Sequence, residues 1–156
     1  MGFPFNIPYG IDEDITLATA GTWKGLVSAK APTANDVQLT GASCFFSGVA
    51  GDGEPIVLRL VRITVDSGTA TAVTEVGTDN RVAGTIQTVG RKNFTALPTV
   101  TADTVLFGAR IHPQGGVMVD LEFKKVWVAR GTEVCLLALV KSGTPPMACG
   151  NLYGEE

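Results

Sequence analysis

The chain consists of short apolar runs that alternate with clusters of turn-forming residues. Residues 56–65 have the strongest strand pattern, and residues 37–46 and 104–111 also have strand character. In residues 117–123, apolar side chains occupy every second position, which predicts a strand with one buried face and one wet face. Residues 134–140 are apolar at consecutive positions, which predicts a central strand covered on both faces.

Glycine, proline and aspartate mark the turns between these runs. Asp66-Ser67-Gly68 predicts a hairpin between residues 56–65 and residues 69–76, and Gly51-Asp52-Gly53 predicts a further turn. Residues 77–103 contain several such breaks, so we expect long surface loops there with one short strand between them.

About nine or ten short strands at this spacing, without an amphipathic helix, predict an all-β fold, a jelly-roll-like β-sandwich. Residues 15–156 are assigned to a single β-sandwich domain, which is a usual size for one folding unit. The strand that begins at Val117 is expected to continue to Ala129, before a turn at Arg130-Gly131-Thr132.

Residues 1–14 are predicted to be an extended N-terminal arm outside the sandwich. Pro4 and Pro8 lack the N–H that a sheet ladder needs, and each favours extended backbone before it. Apolar side chains on such a stiff segment lose little conformational entropy when they dock. The partner-binding residues of the arm are therefore expected to be Phe3, Phe5, Ile7 and Tyr9.

Charged residues make up 17% of the chain and hydrophobic residues 45%, with a net charge of -3. This composition argues against intrinsic disorder, and its acidic balance argues against nucleic acid as a partner. No apolar run approaches the ~20 residues of a membrane-spanning helix, so no membrane partner is expected. The low charge content indicates that part of the apolar surface is buried between subunits.

The residue types that usually carry catalysis are scarce. The chain has one histidine, His112, and no serine lies in a Gly-x-Ser-x-Gly sequence, so a nucleophile lacks an evident base. Cys44, Cys135, Cys149 and His112 include no closely spaced pair of zinc ligands, and Asp12-Glu13-Asp14 lacks the spacing of a calcium loop. We therefore expect no catalytic residue, no cofactor and no metal, and we predict that the protein is not an enzyme.

Three local features have two interpretations each. Asp120 and Glu122 are either a carboxylate pair for glycoside hydrolysis or solvated residues of an exposed sheet face. His112 is either a turn residue that hydrogen-bonds within its own loop or a pH-sensitive subunit contact. Trp127 is either a sugar platform or, with Phe123, part of an oligomer interface.

The three cysteines are expected to be thiols. The N-terminal sequence has no basic segment followed by an apolar one, so we expect no secretion leader and a reducing compartment. One disulfide among Cys44, Cys135 and Cys149 is the alternative. The apolar runs around Cys44 and Cys135 predict that both side chains are buried.

The C-terminal third of the chain resembles a family of small phage virion proteins. The residues that carry the resemblance are Ile111-His112-Pro113-Gln114-Gly115-Gly116, the turn Ala129-Arg130-Gly131-Thr132-Glu133 with the run to Val140, and Gly150-Asn151-Leu152-Tyr153-Gly154-Glu155-Glu156. The family resembles capsid decoration (cement) or head-fibre proteins, commonly β-sandwich trimers bound to the outside of the shell. The resemblance implies a homotrimer, the major capsid protein as partner, and a place in the virion after assembly in the host cytoplasm.

With this resemblance, the expected function is that of a non-enzymatic phage structural protein. It would trimerise and bind the outside of a capsid lattice, which it would stabilise as a decoration protein. Phe123 and Trp127 are the candidates for the oligomer interface. The alternative is a carbohydrate- or receptor-binding β-sandwich module, such as a phage fibre head or a lectin-like domain, with Trp23 and Trp127 as candidate sugar contacts.

Overall fold

The computed structural model describes residues 2–48, 54–73, 76–77 and 86–156, apart from the side chains of residues 76–77 and 102–104. This part of the chain is all-β and contains no helix, and its strands form two antiparallel sheets in a sandwich-like arrangement. The all-β class predicted from the alternation of apolar runs and turns is confirmed.

The strands of the described residues are numbered in chain order. They are β1 (Pro4–Tyr9), β2 (Ile15–Thr16), β3 (Trp23–Lys30), β4 (Val37–Ser47), β5 (Ile56–Ile63), β6 (Thr69–Val73), β7 (Val76–Gly77), β8 (Val89–Ala96), β9 (Val100–Ile111), β10 (Gly116–Asp120), β11 (Val126–Val128), β12 (Glu133–Leu139) and β13 (Met147–Glu155).

Sheet A has the order β10-β4-β13-β1-β7, with β11 also paired to β4 and β2 also paired to β13. Sheet B has the order β6-β8-β3-β12-β5-β9. Four antiparallel pairs are nested along the chain: β5 with β9, β4 with β10, β3 with β12, and β1 with β13. From the innermost pair to the outermost, these pairs lie alternately in sheet B and sheet A. The N-terminal and C-terminal halves of the chain therefore run antiparallel beside each other.

The inward faces of both sheets share one apolar core. Strand β12 lies between β3 and β5, and its Leu136 and Ala138 side chains belong to this core. Cys135 and Leu137, at the alternate positions, belong to a second cluster of buried residues. Strand β12 is thus covered on both faces, which confirms the prediction for residues 134–140.

The predicted N-terminal arm is wrong for residues 4–9, which form strand β1 of sheet A. Phe5, Ile7 and Tyr9 are buried in the core, while Pro4 and Pro8 occupy the alternate positions. Burial of each large apolar side chain contributes about 1.5–3 kcal/mol, whereas each missing hydrogen bond costs about 1 kcal/mol. The gain from three buried side chains outweighs the ladder bonds that two prolines lack.

The predicted hairpin between residues 56–65 and residues 69–76 is also wrong. Strand β5 pairs with β12 and β9, and strand β6 pairs with β8. The long loops predicted for residues 77–103 are replaced by strands β8 and β9 over much of their length, and residues 78–85 lie outside the described part of the chain. The turn predicted at Gly51-Asp52-Gly53 lies outside it too.

The strand predicted from Val117 to Ala129 is interrupted. Strand β10 ends at Asp120, a turn follows at residues 122–125, and β11 resumes the pairing with β4. Lys125 has a positive φ of 46°, a left-handed conformation that a continuous strand does not contain.

Candidate binding surface

The outward side of strands β10, β11, β4 and β13, here called the open face, carries exposed side chains on each of these strands. Residues directly opposite each other on paired antiparallel strands point to the same side of a sheet. The rows of the open face, read across the strands, are Gly116–Phe45–Cys149, Met118–Ser43–Asn151, Asp120–Gly41–Tyr153 and Trp127–Gln38–Glu155.

Large apolar side chains are exposed along the open face. Phe45 is 44%, Met118 74% and Trp127 48% exposed, and Met147 on β13 is exposed as well. The charged side chains in the four rows are those of Asp120 and Glu155, and both are acidic. Single exposed apolar residues are ordinary, whereas a contiguous apolar patch is typical of an interaction surface.

At one end of the open face, the turn between β10 and β11 holds Phe123 in solvent. Leu121 anchors the turn, because its side chain is buried and its N–H donates to the Thr40 carbonyl oxygen at 2.9 Å. Phe123 is 91% exposed two residues later. The fold therefore fixes this turn and leaves its aromatic ring uncovered.

Two shallow grooves lie on the open face. One of about 430 Å³ is lined by Met118, Tyr153 and Asp120 among others, beside the turn that carries Phe123. The other, of about 230 Å³, lies at the Phe45 end and includes Met147. Both grooves combine apolar walls with at least one carboxylate, since Asp14 lines the second.

Around Phe94, the outward side of sheet B is covered by its own chain, whereas Val89, Val100 and Val105 of the same sheet are exposed. A second buried cluster forms there from Val61, Ile63, Phe94, Cys135 and Leu137. The ring of Phe94 lies over Gly25 of the neighbouring strand, where an added Cβ would be 2.7 Å from the ring. A glycine at this position allows the ring to lie flat on the sheet and close the cluster.

Glu133 is a fully buried carboxylate at the start of β12. Its Oε1 accepts hydrogen bonds from Ser28 Oγ at 2.6 Å and from Arg91 Nε and Nη2 at 2.9 and 2.7 Å. Its Oε2 accepts the backbone N–H of Asp66 at 2.9 Å, and Arg91 Nη2 also donates to the Ser67 carbonyl oxygen at 3.1 Å. Both carboxylate oxygens are thus engaged by this chain itself, and the network ties the β5–β6 loop over sheet B.

The buried thiols remain protonated at neutral pH. Burial raises the pKa of Cys44 to about 12, and burial also raises the pKa of Cys135 well above its usual value. Burial raises the pKa of Tyr9 too, and its hydroxyl donates to the Ser43 carbonyl oxygen at 2.8 Å. Thiols of this kind are poor nucleophiles. The predicted burial of Cys44 and Cys135 is confirmed.

The predicted partner-binding residues of the N-terminal segment differ in how deeply their side chains are buried. Phe5, Ile7 and Tyr9 are core residues, so their side chains are not presented at the surface of this fold. Phe3 is partly exposed, and its backbone is paired with that of Glu156 through hydrogen bonds of 2.9 and 3.1 Å. The prediction that these residues contact a partner assumes a free N-terminal arm. Residues 4–9 instead form strand β1 of sheet A.

The other predicted residues lie at the surface. Phe123 and Trp127 are exposed at the same end of the open face, and their role in an oligomer stays a prediction. Asp120 and Glu122 are exposed, as expected for solvated residues of a sheet face. His112 Nδ1 accepts the backbone N–H of Gln114 at 3.1 Å, which confirms the hydrogen bond within its own loop.

Phe45, Met118 and Met147 were not among the residues predicted from the sequence. The alternation that places Asp120 on a wet face also places Met118 there, two residues earlier. Phe45 lies between the buried Cys44 and Phe46, so strand periodicity requires that it point the other way. The alternation of inward and outward side chains along a strand therefore predicts that Met118 and Phe45 are both exposed.

No family model, curated protein or solved structure matches this chain. Within the described ranges, no three His, Cys, Asp or Glu side chains lie together as a set of metal ligands. None of the described residues belongs to a helix with the length and apolarity needed to cross a membrane.

Proposed function

We propose that this chain is a non-enzymatic structural protein of a phage virion, which trimerises and binds the outside of a capsid lattice as a decoration protein. The open face is the observation that carries the proposal, because it presents Phe45, Met118, Trp127 and Met147 on one side of a rigid sheet. Exposed aromatic and methionine side chains with few charges are typical of surfaces that become buried against protein.

The open face has two ends that suit two contacts. We assign the Phe45 end, with the groove beside Met147, to the major capsid protein. We assign the other end, with Phe123 and Trp127, to neighbouring subunits of a homotrimer. In this proposal the protein acts in the virion after assembly in the host cytoplasm.

The strand order supports a jelly-roll fold within this proposal. A jelly roll arises when a folded-back chain wraps so that four nested antiparallel pairs alternate between two sheets. The segments β10-β4-β13-β1 and β3-β12-β5-β9 have that order, and their nested pairs alternate in that way. Jelly rolls occur in viral capsid and lectin domains, so the function must be argued from the surface and not from the fold.

The test is co-sedimentation of the purified protein with empty capsid shells of the virus that encodes it. We expect saturable binding by the wild type and at least about tenfold weaker binding by Phe45→Asp, because a charge would be buried at the contact. Val105→Asp is the matched control, since Val105 is also exposed but lies on β9 of sheet B. Wild-type protein that ignores the shells, or equal binding by Phe45→Asp, would contradict the proposal.

A second candidate is carbohydrate binding at Trp127. The exposed indole lies in one row with Gln38 and Glu155, and an aromatic ring beside an amide and a carboxylate is a typical sugar-contacting set. Binding to immobilised polysaccharide that disappears in Trp127→Ala but persists in Phe45→Asp would favour this candidate over the decoration protein.

A further inference from the structure

Phe123 is presented by a turn with a fixed backbone. Asp120 Oδ1 accepts the N–H of Glu122 at 2.9 Å, and the N–H of Lys125 donates to the Glu122 carbonyl oxygen at 3.1 Å. A pre-organised segment loses little conformational entropy on docking, and exposed aromatic residues on such segments are the usual anchors of protein contacts. The turn therefore has the properties of a binding knob.

The charges on the two sides of this knob have opposite signs. Asp120 and Glu122 precede Phe123, and Lys124 and Lys125 follow it. The Lys124 ammonium lies 5.6 Å from the centre of the Phe107 ring, so this side chain is directed towards strand β9. Lys125 is exposed, and the ion pairs formed among the described residues do not include it.

A receptor for the knob lies beside it on the same chain. The groove of about 430 Å³ has apolar walls from Met118 and Tyr153, and Asp120 and Glu122 also line it. The knob is thus flanked by Glu122 on one side and by Lys125 two residues beyond it on the other, and the groove is lined by the carboxylates of Asp120 and Glu122. A surface that carries both halves of a contact is complementary to a copy of itself.

We infer that the end of the open face around Phe123 binds a second copy of this chain. Phe123 of one copy enters the groove between Met118 and Tyr153 of the other, and Lys125 faces the carboxylates of Asp120 and Glu122 there. This contact deepens the proposed function and rests on it for the number of copies, which is three. The mixed charges favour a second copy over an unrelated acidic or basic protein, because each copy supplies both signs.

The test combines one deletion of the knob with one exchange of charges, measured as dissociation constants by sedimentation or light scattering. Phe123→Ala is expected to weaken self-association by at least about tenfold, as for a central aromatic anchor. Leu97→Ala is the control, because Leu97 is also an exposed large apolar residue but lies outside the open face. Unchanged thermal unfolding of both variants shows that the fold is intact.

The charge exchange tests the proposed contact between Lys125 of one copy and Glu122 of the other. Lys125→Glu and Glu122→Lys, each alone, are expected to weaken association by about tenfold through like-charge contacts across the interface. The double variant E122K/K125E restores both signs and is expected to return to within about threefold of the wild type. A monomeric wild type, wild-type association by Phe123→Ala, or no recovery in the double variant would overturn the inference.

This inference and the proposed function fail differently. Protein that self-associates through Phe123 but ignores capsid shells overturns the decoration function and supports the contact between copies. Protein that binds shells through Phe45 while remaining a monomer overturns the contact between copies and the trimer, and supports the binding of the shell.

Discussion

Phe94 on sheet B and Phe45 on sheet A each pack against a glycine of the neighbouring strand. An added Cβ on Gly25 would lie 2.7 Å from Phe94, and one on Gly116 would lie 2.0 Å from Phe45. Phe94 is nevertheless 2% exposed and Phe45 44% exposed. The local pairing is the same, so what differs is the cover that the rest of the chain provides.

On sheet B the cover consists of the second cluster and the polar network that ties the β5–β6 loop over it. Glu133 and Arg91 hold this loop through the Asp66 N–H and the Ser67 carbonyl. No corresponding segment of the described residues lies over the open face, where Met118 and Phe45 meet solvent. The part of sheet B around Phe94 is covered by its own chain, whereas the described residues leave the ring of Phe45 on sheet A half exposed.

Truncating the two phenylalanines gives the strongest contrast. Phe94→Ala is expected to lower the free energy of unfolding by about 3–5 kcal/mol, because it leaves a cavity in a buried cluster. Phe45→Ala is expected to lower it by less than about 1 kcal/mol, because its ring is already half in water. Urea denaturation followed by fluorescence measures both values. Equal losses for the two variants would remove the distinction between the faces.

Removing Arg91 from the polar network around Glu133 is expected to lower the free energy of unfolding nearly as much as Phe94→Ala. Arg91→Ala leaves the Glu133 carboxylate buried without its cation and should lower the free energy of unfolding by about 3 kcal/mol. This is the lower end of the usual range, because Ser28 Oγ and the Asp66 N–H still donate to Glu133.

The control for this prediction is Arg59→Ala. Arg59 is exposed and lies 5.1 Å from the centre of the Trp23 ring, a contact worth about 0.5–1 kcal/mol. Denaturation midpoints that fall equally in both variants would show that the Glu133 network is not what holds the loop over sheet B.

Adding a methyl group at each glycine sharpens the comparison further. Gly25→Ala pushes against a ring that has no free space and should cost about 1–3 kcal/mol. Gly116→Ala pushes against a ring that can rotate into solvent and should be within about 0.5 kcal/mol of the wild type. Thermal unfolding of the two variants decides this, and a larger loss for Gly116→Ala would mean that Phe45 is held as firmly as Phe94.

The cysteines report on three environments, since Cys44 lies in the main core, Cys135 in the second cluster and Cys149 on the open face. The pKa of Cys44 is about 12 in the folded protein and 9.0 in the unfolded chain, so the unfolded chain loses this proton first as the pH rises. Stability from this thiol is complete below pH 9.0 and is lost between pH 9.0 and about 12.

Over that pH range each such thiol contributes about 1.4 kcal/mol per pH unit to the loss of stability. Cys44→Ala is expected to remove one such contribution from the slope of unfolding free energy against pH, whatever it does to stability at neutral pH. Slopes that are identical in the variant and the wild type would contradict the burial of Cys44.

The sequence predicts the elements whose pattern is unambiguous and misses those in which two tendencies compete. Strand β12 is predicted because its apolar residues are consecutive. Strand β1 is missed because Pro4 and Pro8 argue against a ladder, while Phe5, Ile7 and Tyr9 alternate as in a strand. The apolar alternation prevails, since the prolines fall at the positions that point away from the core.

Strand pairing is not visible in local patterns. Asp66-Ser67-Gly68 forms a turn, but β5 pairs with β12 and β9, and β6 pairs with β8. For the site, the exposure of Phe123 depends on the hydrogen bond from Glu122 to Asp120 and on the left-handed Lys125. Neither feature changes the apolar alternation that predicted a continuous strand.

The central claim is that the open face is the surface through which this molecule acts, and methionine oxidation in the shell-bound state tests it most directly. Met118 and Met147 both lie on the open face and are exposed, so peroxide should oxidise both in the free protein. We predict that bound protein shows at least about fivefold slower oxidation of Met147, with Met118 protected as well once the subunits have assembled. Oxidation of both methionines at the free rate in fully bound protein would contradict the account.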